Sequence, residues 1–274
     1  MAKSSKLIYV VLILLSIAFL FPIFLVLLNS FKSTLYISTE PFSLLNESNF
    51  VELKNYVVGA QKTGIYSAFG YSVFITVFSV AGILLLCSMA AWYITRVKSK
   101  FTNFLYYLFI ISMVVPFQMV MFTMSKTADA LKLTSPVGIL VLYWGFGAGL
   151  SIFMYSGFVK SVPISLEDAA LIDGCNPVTM FFRVVFPVLK PINITIAILN
   201  GMWIWNDFLL PYIILGSEYR TLPIAIQYLT GGYGSVDYGH LMAMIIIALI
   251  PIVIFYFTCQ KYIIEGITSG AVKG

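Results

Sequence analysis

Six stretches of this chain are each long and apolar enough to cross a lipid bilayer, and no other feature limits its fold as much. A spanning helix needs about 20 mostly apolar residues and satisfies its own backbone hydrogen bonds in lipid. The stretches are Leu7–Leu28, Tyr71–Ile94, Phe104–Met124, Val137–Val159, Ile192–Leu215 and Leu241–Ile263. Pro22, Pro116 and Pro251 fall inside three of them, and membrane helices tolerate such prolines. The sequence therefore predicts an all-α polytopic membrane protein with six transmembrane helices.

The composition agrees with this class. Hydrophobic residues make up 60% of the 274 positions and charged residues 10%, whereas soluble domains carry about 25% charged residues. The net charge of +5 lies in short clusters between apolar stretches, so it indicates membrane topology and no nucleic-acid partner. The single His and three Cys match no metal-ligand spacing and no disulfide framework. We therefore predict no metal site and no catalytic residue.

Lysine and arginine set the predicted orientation. With the N-terminus inside, ten of the 16 basic residues fall on the cytoplasmic side, as the positive-inside rule requires. Both termini are then cytoplasmic. The first stretch is too long for the core of a signal peptide, and no small-residue cleavage site follows it. We expect it to remain as a helix.

The segment between the fourth and fifth stretches, residues 160–190, is too long for a plain turn. Ser165 can cap a helix, and Asp168 three residues later completes an approximate capping box. Gly174 stands where a left-handed C-terminal cap is needed. These signals predict a helix of about eight residues on the cytoplasmic side.

A second short helix should follow the glycine corner, because Asn176 is a good cap and Pro177 suits a first turn. A free helix as short as the first one is marginal in water. Leu166, Ala169 and Ala170 lie close to one of its faces, and the small alanines would admit a partner groove. Two alternatives stay open: docking on a partner, or a helical hairpin packed on its own membrane domain.

Several residues of this segment carry a resemblance to a known family, namely Asp168-Ala169-Ala170, Gly174, Val184, Phe186 and Pro187. They resemble the EAA signature of permeases of bacterial ABC importers, which is Glu-Ala-Ala, three residues, Gly, nine residues, Ile, one residue, Leu-Pro. The spacing matches, while Asp168, Val184 and Phe186 replace Glu, Ile and Leu. In that family the loop forms coupling helices that sit in a cleft of the ATPase subunit. The resemblance implies an ATPase-coupling role for Leu166, Glu167, Asp168, Ala169, Ala170, Asp173, Gly174, Pro177 and Pro187.

A second set of segments is similar to the carbohydrate branch of that family, the maltose-type permeases of the G-subunit kind. The segments are Gln260–Gly274, Trp205–Phe208, Ala90–Tyr93 before Arg96, and Thr221–Ile224. In similar proteins the C-terminal tail inserts along the ATPase interface. That implies an interface role for Gly266, Thr268, Ser269, Gly270 and Lys273. The alternative is a frayed, Gly-rich and aperiodic terminus.

The resemblance implies a heteromeric importer in the cytoplasmic membrane of a prokaryote. Its other parts would be a second related permease, an ABC ATPase dimer and an extracellular solute-binding protein, with a sugar as the substrate. This sequence has no GxxxxGK[ST] phosphate loop, so the chain is predicted not to be an enzyme, and MgATP would belong to the ATPase. The expected division is an N-terminal transmembrane helix (1–33), an extracellular loop (34–65), a five-helix permease core (66–264) with coupling helices at 163–187, and a cytoplasmic tail (265–274).

Four polar residues within the stretches are candidates for the translocation pathway or a contact between subunits: Asn200, Asn206, Asp207 and Gln118. Intramembrane acids usually face a cavity or a partner. For Asp207, cavity lining, contact with the partner permease and interfacial placement remain open. The outer segment Tyr219–His240 is expected to reach the binding protein or to rim the mouth, with an ordinary loop as the alternative.

Other functions predict features that the sequence lacks. An ion-coupled secondary carrier would have internal repeats and paired intramembrane charges, and a membrane enzyme would have a convergent acid, base or metal cluster. An ABC permease for a non-sugar solute, such as glycerol phosphate or a polyamine, remains the main alternative.

Overall fold

The computed structural model describes residues 2–230 and 236–271, with side chains described for 6–230 and 236–262. Over these residues the regular structure is helical, and Lys32 and Phe50 form an isolated antiparallel bridge. The α-helices are α1 (Ala2–Asn29), α2 (Thr34–Thr39), α3 (Lys54–Thr63), α4 (Ile65–Arg96), α5 (Lys100–Val114), α6 (Phe117–Ala130), α7 (Gly138–Val159), α8 (Ser165–Ile172), α9 (Pro177–Met180), α10 (Phe186–Val188), α11 (Lys190–Asn206), α12 (Leu209–Leu215), α13 (Leu222–Gln227) and α14 (Tyr238–Ala271). A π-helical segment (Phe181–Val185) joins α9 to α10, and a 3₁₀ turn (Tyr228–Thr230) follows α13.

Among the described residues, four helices are long and apolar enough to cross a membrane alone: Lys6–Asn29, Ile65–Arg96, Gly138–Val159 and Tyr238–Tyr262. Two bent helix pairs raise the number to six if each pair counts as one span. The prediction of an all-helical polytopic membrane protein is therefore confirmed at the level of four to six spans.

The third predicted stretch, Phe104–Met124, is not one helix. It divides into α5 and α6, which meet at an angle of 108°. Pro116 lies at the break with Val115 extended before it (φ −75°, ψ 116°). Proline lacks the N–H that would continue α5, and it disfavours helical backbone at the residue before it. The expectation that this proline would be tolerated inside a helix was wrong.

The fifth predicted stretch, Ile192–Leu215, also divides. α11 ends at Asn206, Asp207 is extended (φ −71°, ψ 124°), and α12 begins at Leu209. At its other end α11 meets the preceding helical segment Pro177–Val188 at 76°. This fifth stretch is thus divided into shorter helices than its apolar composition predicts.

The sixth stretch continues as helix to Ala271, so residues 265–271 have helical backbone although their sequence is Gly-rich and aperiodic. Extending an existing helix needs no new nucleus, which offsets the weak helix propensity of its glycines. The side chains of Thr268 and Ser269 and the whole of Lys273 lie outside the described part, and Gly266 and Gly270 are described by their backbone alone.

One compact unit contains Met1–Phe69 and Leu222–Ile254. Its loop after α1 is organised around Lys32, which is completely buried. The Lys32 ammonium donates to the carbonyl oxygens of Glu40 (3.1 Å) and Pro41 (3.4 Å) and to Ser43 Oγ (3.3 Å). Burial lowers the pKa of Lys32, although the charge of Glu40 acts in the opposite direction. The predicted extracellular loop therefore has a fold of its own, with two helices, α2 and α3.

In the same unit α3 packs closely on the start of α14. A Cβ atom at Gly59 would lie 3.0 Å from Met244 Cε and 3.3 Å from His240 Cβ. Lys62 Nζ donates to Asp237 Oδ2 at 2.8 Å, and His240 Nδ1 donates to the same oxygen. Asp237 thus ties α3 to the first turn of α14.

This contact predicts a pH dependence. Burial alone would raise the pKa of Asp237, but the hydrogen bonds and charges of Lys62 and His240 outweigh it and hold the pKa below its usual value. A carboxyl with a depressed pKa stabilises the fold above its unfolded pKa of about 3.9, and this contribution is lost as the pH falls through the lower folded value. Thermal unfolding in detergent should therefore show that the free energy of unfolding falls by at most about 1 kcal/mol on acidification. Asp237→Asn should remove that slope below about pH 4, and an unchanged slope in the variant would contradict the assignment.

The second compact unit contains Gly70–Thr221 and Phe255–Gly274. Helix α7 lies at its centre and packs on α5, α11 and α12, and Tyr143, Ile152 and Tyr155 are buried along it. At Gly147 a Cβ atom would lie 2.5 Å from Ile83 Cδ1 on α4 and 2.9 Å from Asn200 Oδ1 on α11. A glycine is needed there because three helices approach one another.

Candidate functional site

The helix predicted in segment 160–190 is α8, and it begins one residue earlier than expected. Ile164 occupies the N-cap position with helical backbone (φ −60°, ψ −32°), and no side chain caps the helix. Glu167 N donates to Ile164 O at 2.8 Å, so the turn before α8 already supplies helical carbonyls. The predicted capping box between Ser165 and Asp168 does not form, because Ser165 is inside the helix.

The glycine corner is confirmed. Gly174 has φ +80°, and the chain closes α8 with two hydrogen bonds: Cys175 N to Ala170 O (2.9 Å) and Gly174 N to Leu171 O (3.0 Å). This pair is the Schellman arrangement, which satisfies the last carbonyls of a helix and places a left-handed residue after it. The direction of the chain after α8 is therefore fixed by backbone geometry.

The restart at Asn176 and Pro177 is confirmed as well. Asn176 Oδ1 accepts from Thr179 N at 2.8 Å, and Pro177 is the first residue of α9. The π-helical segment follows and leads to Pro187 in α10. Proline at 187 cannot donate to the carbonyl four residues earlier, and such positions favour local departures from α-helix.

The two faces of α8 differ. Glu167 and Ala170 are buried against the chain itself. The rest of its surface exposes large apolar side chains, namely Ile164, Leu166, Leu171 and Ile172, the last of which is 86% exposed. A bare apolar surface of this kind marks an interaction site more often than an ordinary surface does.

This arrangement corrects one expectation and adds residues. Leu166 and Ala169 are exposed, but Ala170 points inward and is not on the same face. Asp168, Asp173, Pro177 and Pro187 are exposed. Sequence reasoning missed Ile164, Leu171 and Ile172. The signal that could have found them is their apolar character on a short helix whose inward positions are Glu167 and Ala170.

Glu167 binds two residues near the end of α4. Its Oε1 accepts from Arg96 Nε at 2.8 Å and lies 2.7 Å from Arg96 Nη2, and its Oε2 accepts from Trp92 Nε1 at 3.0 Å. Arg96 Nη2 also donates to Val162 O at 3.0 Å. The Arg96 and Glu167 side chains are 16% and 11% exposed. This buried cluster is the second feature that sequence reasoning missed.

Two of the four polar candidates bind to α7. Asp207 Oδ2 accepts from Tyr143 Oη at 3.0 Å, while its Oδ1 accepts from the backbone N–H groups of Leu209 (3.0 Å) and Leu210 (3.4 Å). Asn200 is buried and donates to Ser151 Oγ at 3.2 Å. Asp207 therefore caps α12 across the break after α11.

The other two candidates are exposed. Asn206 Nδ2 donates to Met202 O at 2.7 Å within its own helix, and Gln118 lies in the first turn of α6, just after Pro116. Near them, Phe208 and Tyr212 stack with ring centroids 5.1 Å apart. In the segment 219–240, α13 and the 3₁₀ turn are ordered elements, and residues 231–235 lie outside the described part.

Comparison with known proteins identifies the class. A family model described as the binding-protein-dependent transport system inner membrane component matches residues 82–269. The chain is 38% identical over 262 residues to the probable starch degradation products transport system permease protein AmyC of Thermoanaerobacterium thermosulfurigenes, covering 95% of this chain and 94% of that one. It is 37% identical to the multiple sugar-binding transport system permease protein MsmG of Streptococcus mutans, covering 97% and 96%.

A solved structure has the same fold. The crystal structure of a bacterial ABC transporter involved in the import of the acidic polysaccharide alginate matches with a TM-score of 0.79 at 21% identity, over 95% of this chain and 96% of that one. These matches define a membrane-embedded transport subunit, a class whose members are not catalytic. The chain belongs to the family of inner membrane components of binding-protein-dependent transport systems, and the resemblance to ABC importer permeases is confirmed.

Proposed function

We propose that this chain is a permease subunit of an ATP-driven importer for an oligosaccharide or related sugar, and that it forms half of the translocation pathway. The observation that carries the substrate class is the set of relatives. Permeases named for starch degradation products, multiple sugars and arabinooligosaccharides are 31–38% identical to it over at least 93% of its length. This support favours a sugar over glycerol phosphate or a polyamine.

The partners would be a second related permease, an ABC ATPase dimer and an extracellular solute-binding protein. The bare apolar face of α8 supports the ATPase contact, because a short helix with exposed Ile and Leu side chains fits the helix-in-groove mode of recognition. ATP hydrolysis and MgATP would belong to the ATPase. The proposed coupling residues are those given by the EAA resemblance, together with Ile164, Leu171 and Ile172.

The proposed topology has six spans with both termini in the cytoplasm of a prokaryotic cell. The third crossing is then formed by α5 with α6 and the fifth begins at α11, while α8 and α9 face the cytoplasm. The division into residues 1–33, 34–65, 66–264 and 265–274 describes the same arrangement, with the last segment lying at the ATPase interface. Closure of the ATPase dimer on ATP would move α8 and switch the spans from inward-open to outward-open.

The test is purification of the tagged chain from its own cells in mild detergent, followed by mass spectrometry. We expect an ATPase, a second permease and this chain in a 2:1:1 ratio. In proteoliposomes with the binding protein, maltooligosaccharides or arabinooligosaccharides should stimulate ATP hydrolysis, whereas glycerol phosphate and spermidine should not. A lone chain or a homodimer across several detergents would refute the proposal and favour an ion-coupled carrier.

The corner at Gly174 gives a further prediction. A Cβ atom there would meet nothing within 4 Å, so Gly174→Val acts through backbone conformation alone. Holding a β-branched residue in the left-handed backbone conformation costs roughly 1–3 kcal/mol of conformational free energy. Sugar-stimulated ATPase activity and transport should fall while the amount of membrane-inserted chain stays normal. Gly174→Asn should be milder because Asn tolerates this conformation, and wild-type uptake by the valine variant would contradict the rigid corner.

A further inference from the structure

The last two turns of α4 bind the chain before, within and after α8. Arg96 binds Val162 O before α8, and Arg96 and Trp92 both bind Glu167 within it. After the Gly174 corner, the Trp92 ring packs on the buried Phe181 ring with centroids 5.6 Å apart. We propose that Arg96 and Trp92 are positioning residues that make α8 move as one body with α4. This inference rests on the proposed coupling function of α8.

The charges of Arg96 and Glu167 match the dipoles of α4 and α8 at the helix ends where they lie. Arg96 is the last residue of α4, and Glu167 lies in the first turn of α8. A cation is favourable at the C-terminal end of a helix and an anion at the N-terminal end. The ion pair therefore forms where the negative end of one helix dipole meets the positive end of another, and both dipoles reinforce it.

The contact with Arg96 and Trp92 also fixes the orientation of the Glu167 side chain. Both oxygens of Glu167 are occupied, Oε1 by the guanidinium and Oε2 by the indole N–H. A planar guanidinium held through two nitrogens restricts rotation in a way that a single flexible ammonium does not. The pair is largely shielded from water, so salt screens it weakly.

The two faces of α8 thereby have separate tasks. The inner face, through Glu167, is attached to a membrane-spanning helix of the same chain. The outer face, with Leu171 and Ile172, is left free for the ATPase. A displacement of the outer face by the ATPase then reaches α4 through the hydrogen bonds of Glu167 and Val162 to Arg96 and Trp92, in addition to packing.

The experiment uses the complete importer in proteoliposomes and measures sugar transported per ATP hydrolysed. The variants are Glu167→Gln, Trp92→Phe, Arg96→Met and Arg96→Lys, with Lys98→Met as the matched control, since Lys98 is basic, exposed and two residues beyond. We expect Arg96→Met and Glu167→Gln to lower the ratio about tenfold. Arg96→Lys and Trp92→Phe should be intermediate, and Lys98→Met should match the wild type.

The ratio separates positioning from stability, because a merely structural defect would lower transport and hydrolysis together. If Arg96→Met fails to accumulate, Glu167→Gln and Trp92→Phe provide the test, since Glu167→Gln conserves volume and Trp92→Phe keeps an aromatic ring beside Phe181. A wild-type ratio in those variants within intact complexes would overturn the inference and leave the proposed function standing. Absence of any ATPase from the wild-type complex would overturn both.

Discussion

Replacing Ile172 by aspartate should release the ATPase from the complex. Ile172 is 86% exposed in the isolated chain, is the last residue of α8 and belongs to its exposed apolar surface. We expect Ile172 to be one of the few hot-spot side chains of the docked interface, whose loss costs about 2 kcal/mol or more, which is roughly a 30-fold weaker association. An aspartate adds the cost of burying an unpaired carboxylate. The measurement is the amount of ATPase retained on the purified permease, together with sugar-stimulated hydrolysis.

A matched control exists in the predicted extracellular loop. Leu44 is 70% exposed in the predicted extracellular loop, so Leu44→Asp changes the same kind of surface without touching α8. ATPase retention should be normal in this variant and nearly normal in Ile172→Val, which keeps a β-branched apolar side chain. Full ATPase retention by Ile172→Asp would show that α8 docks through another face or does not dock.

Replacing Asp207 by alanine should destabilise the chain itself. The substitution removes the cap from Leu209 and Leu210, and loss of a cap costs about 0.5–2 kcal/mol. It also leaves the hydroxyl of the buried Tyr143 without its acceptor, which costs about 1–3 kcal/mol. Together these effects predict a loss of about 1.5–5 kcal/mol in the free energy of unfolding. Chemical unfolding in detergent and the steady-state level of the chain in membranes are the measurements.

Asp207→Asn separates this structural role from a role in transport. Asparagine keeps one oxygen for the cap and a polar group opposite the Tyr143 hydroxyl, so stability should remain close to that of the wild type. If transport also remains, the charge of Asp207 is not needed in the pathway. A stable but inactive Asp207→Asn protein would support cavity lining or contact with the partner permease. An Asp207→Ala protein of normal stability would refute the capping role.

The features predicted correctly from the sequence are those that depend on near neighbours. Gly174 and Asn176 act within a few residues of their own positions, and both adopt the predicted geometry. The apolar stretches likewise identify membrane helices, because span length is set by bilayer thickness and not by tertiary contacts. The prediction for Ser165 failed for a local reason, since Ile164 before it was already helical.

The features that were missed depend on distant partners. Glu167 binds Arg96, which is 71 positions away in the sequence, and Asp207 binds Tyr143, which is 64 positions away. Nothing in the spacing of a single sequence indicates which helix ends meet. The breaks at Pro116 and Asp207 were also hidden, because hydropathy averages over a window and stays high on both sides of a break. Sequence thus predicted the class and the α8 segment, but not which face of α8 is free.

The elbow at Pro116 has a consequence for the supply of this subunit in the cell. With α5 starting at one membrane face, its 15 residues rise about 22 Å, so the elbow lies within the hydrocarbon core of about 30 Å. The last carbonyl groups of α5 have no helical donors there, and lipid offers none. In a copy without its neighbouring subunits, these carbonyl groups would face lipid wherever the chain itself does not cover them. Synthesis of this chain must therefore keep pace with synthesis of whatever covers the elbow.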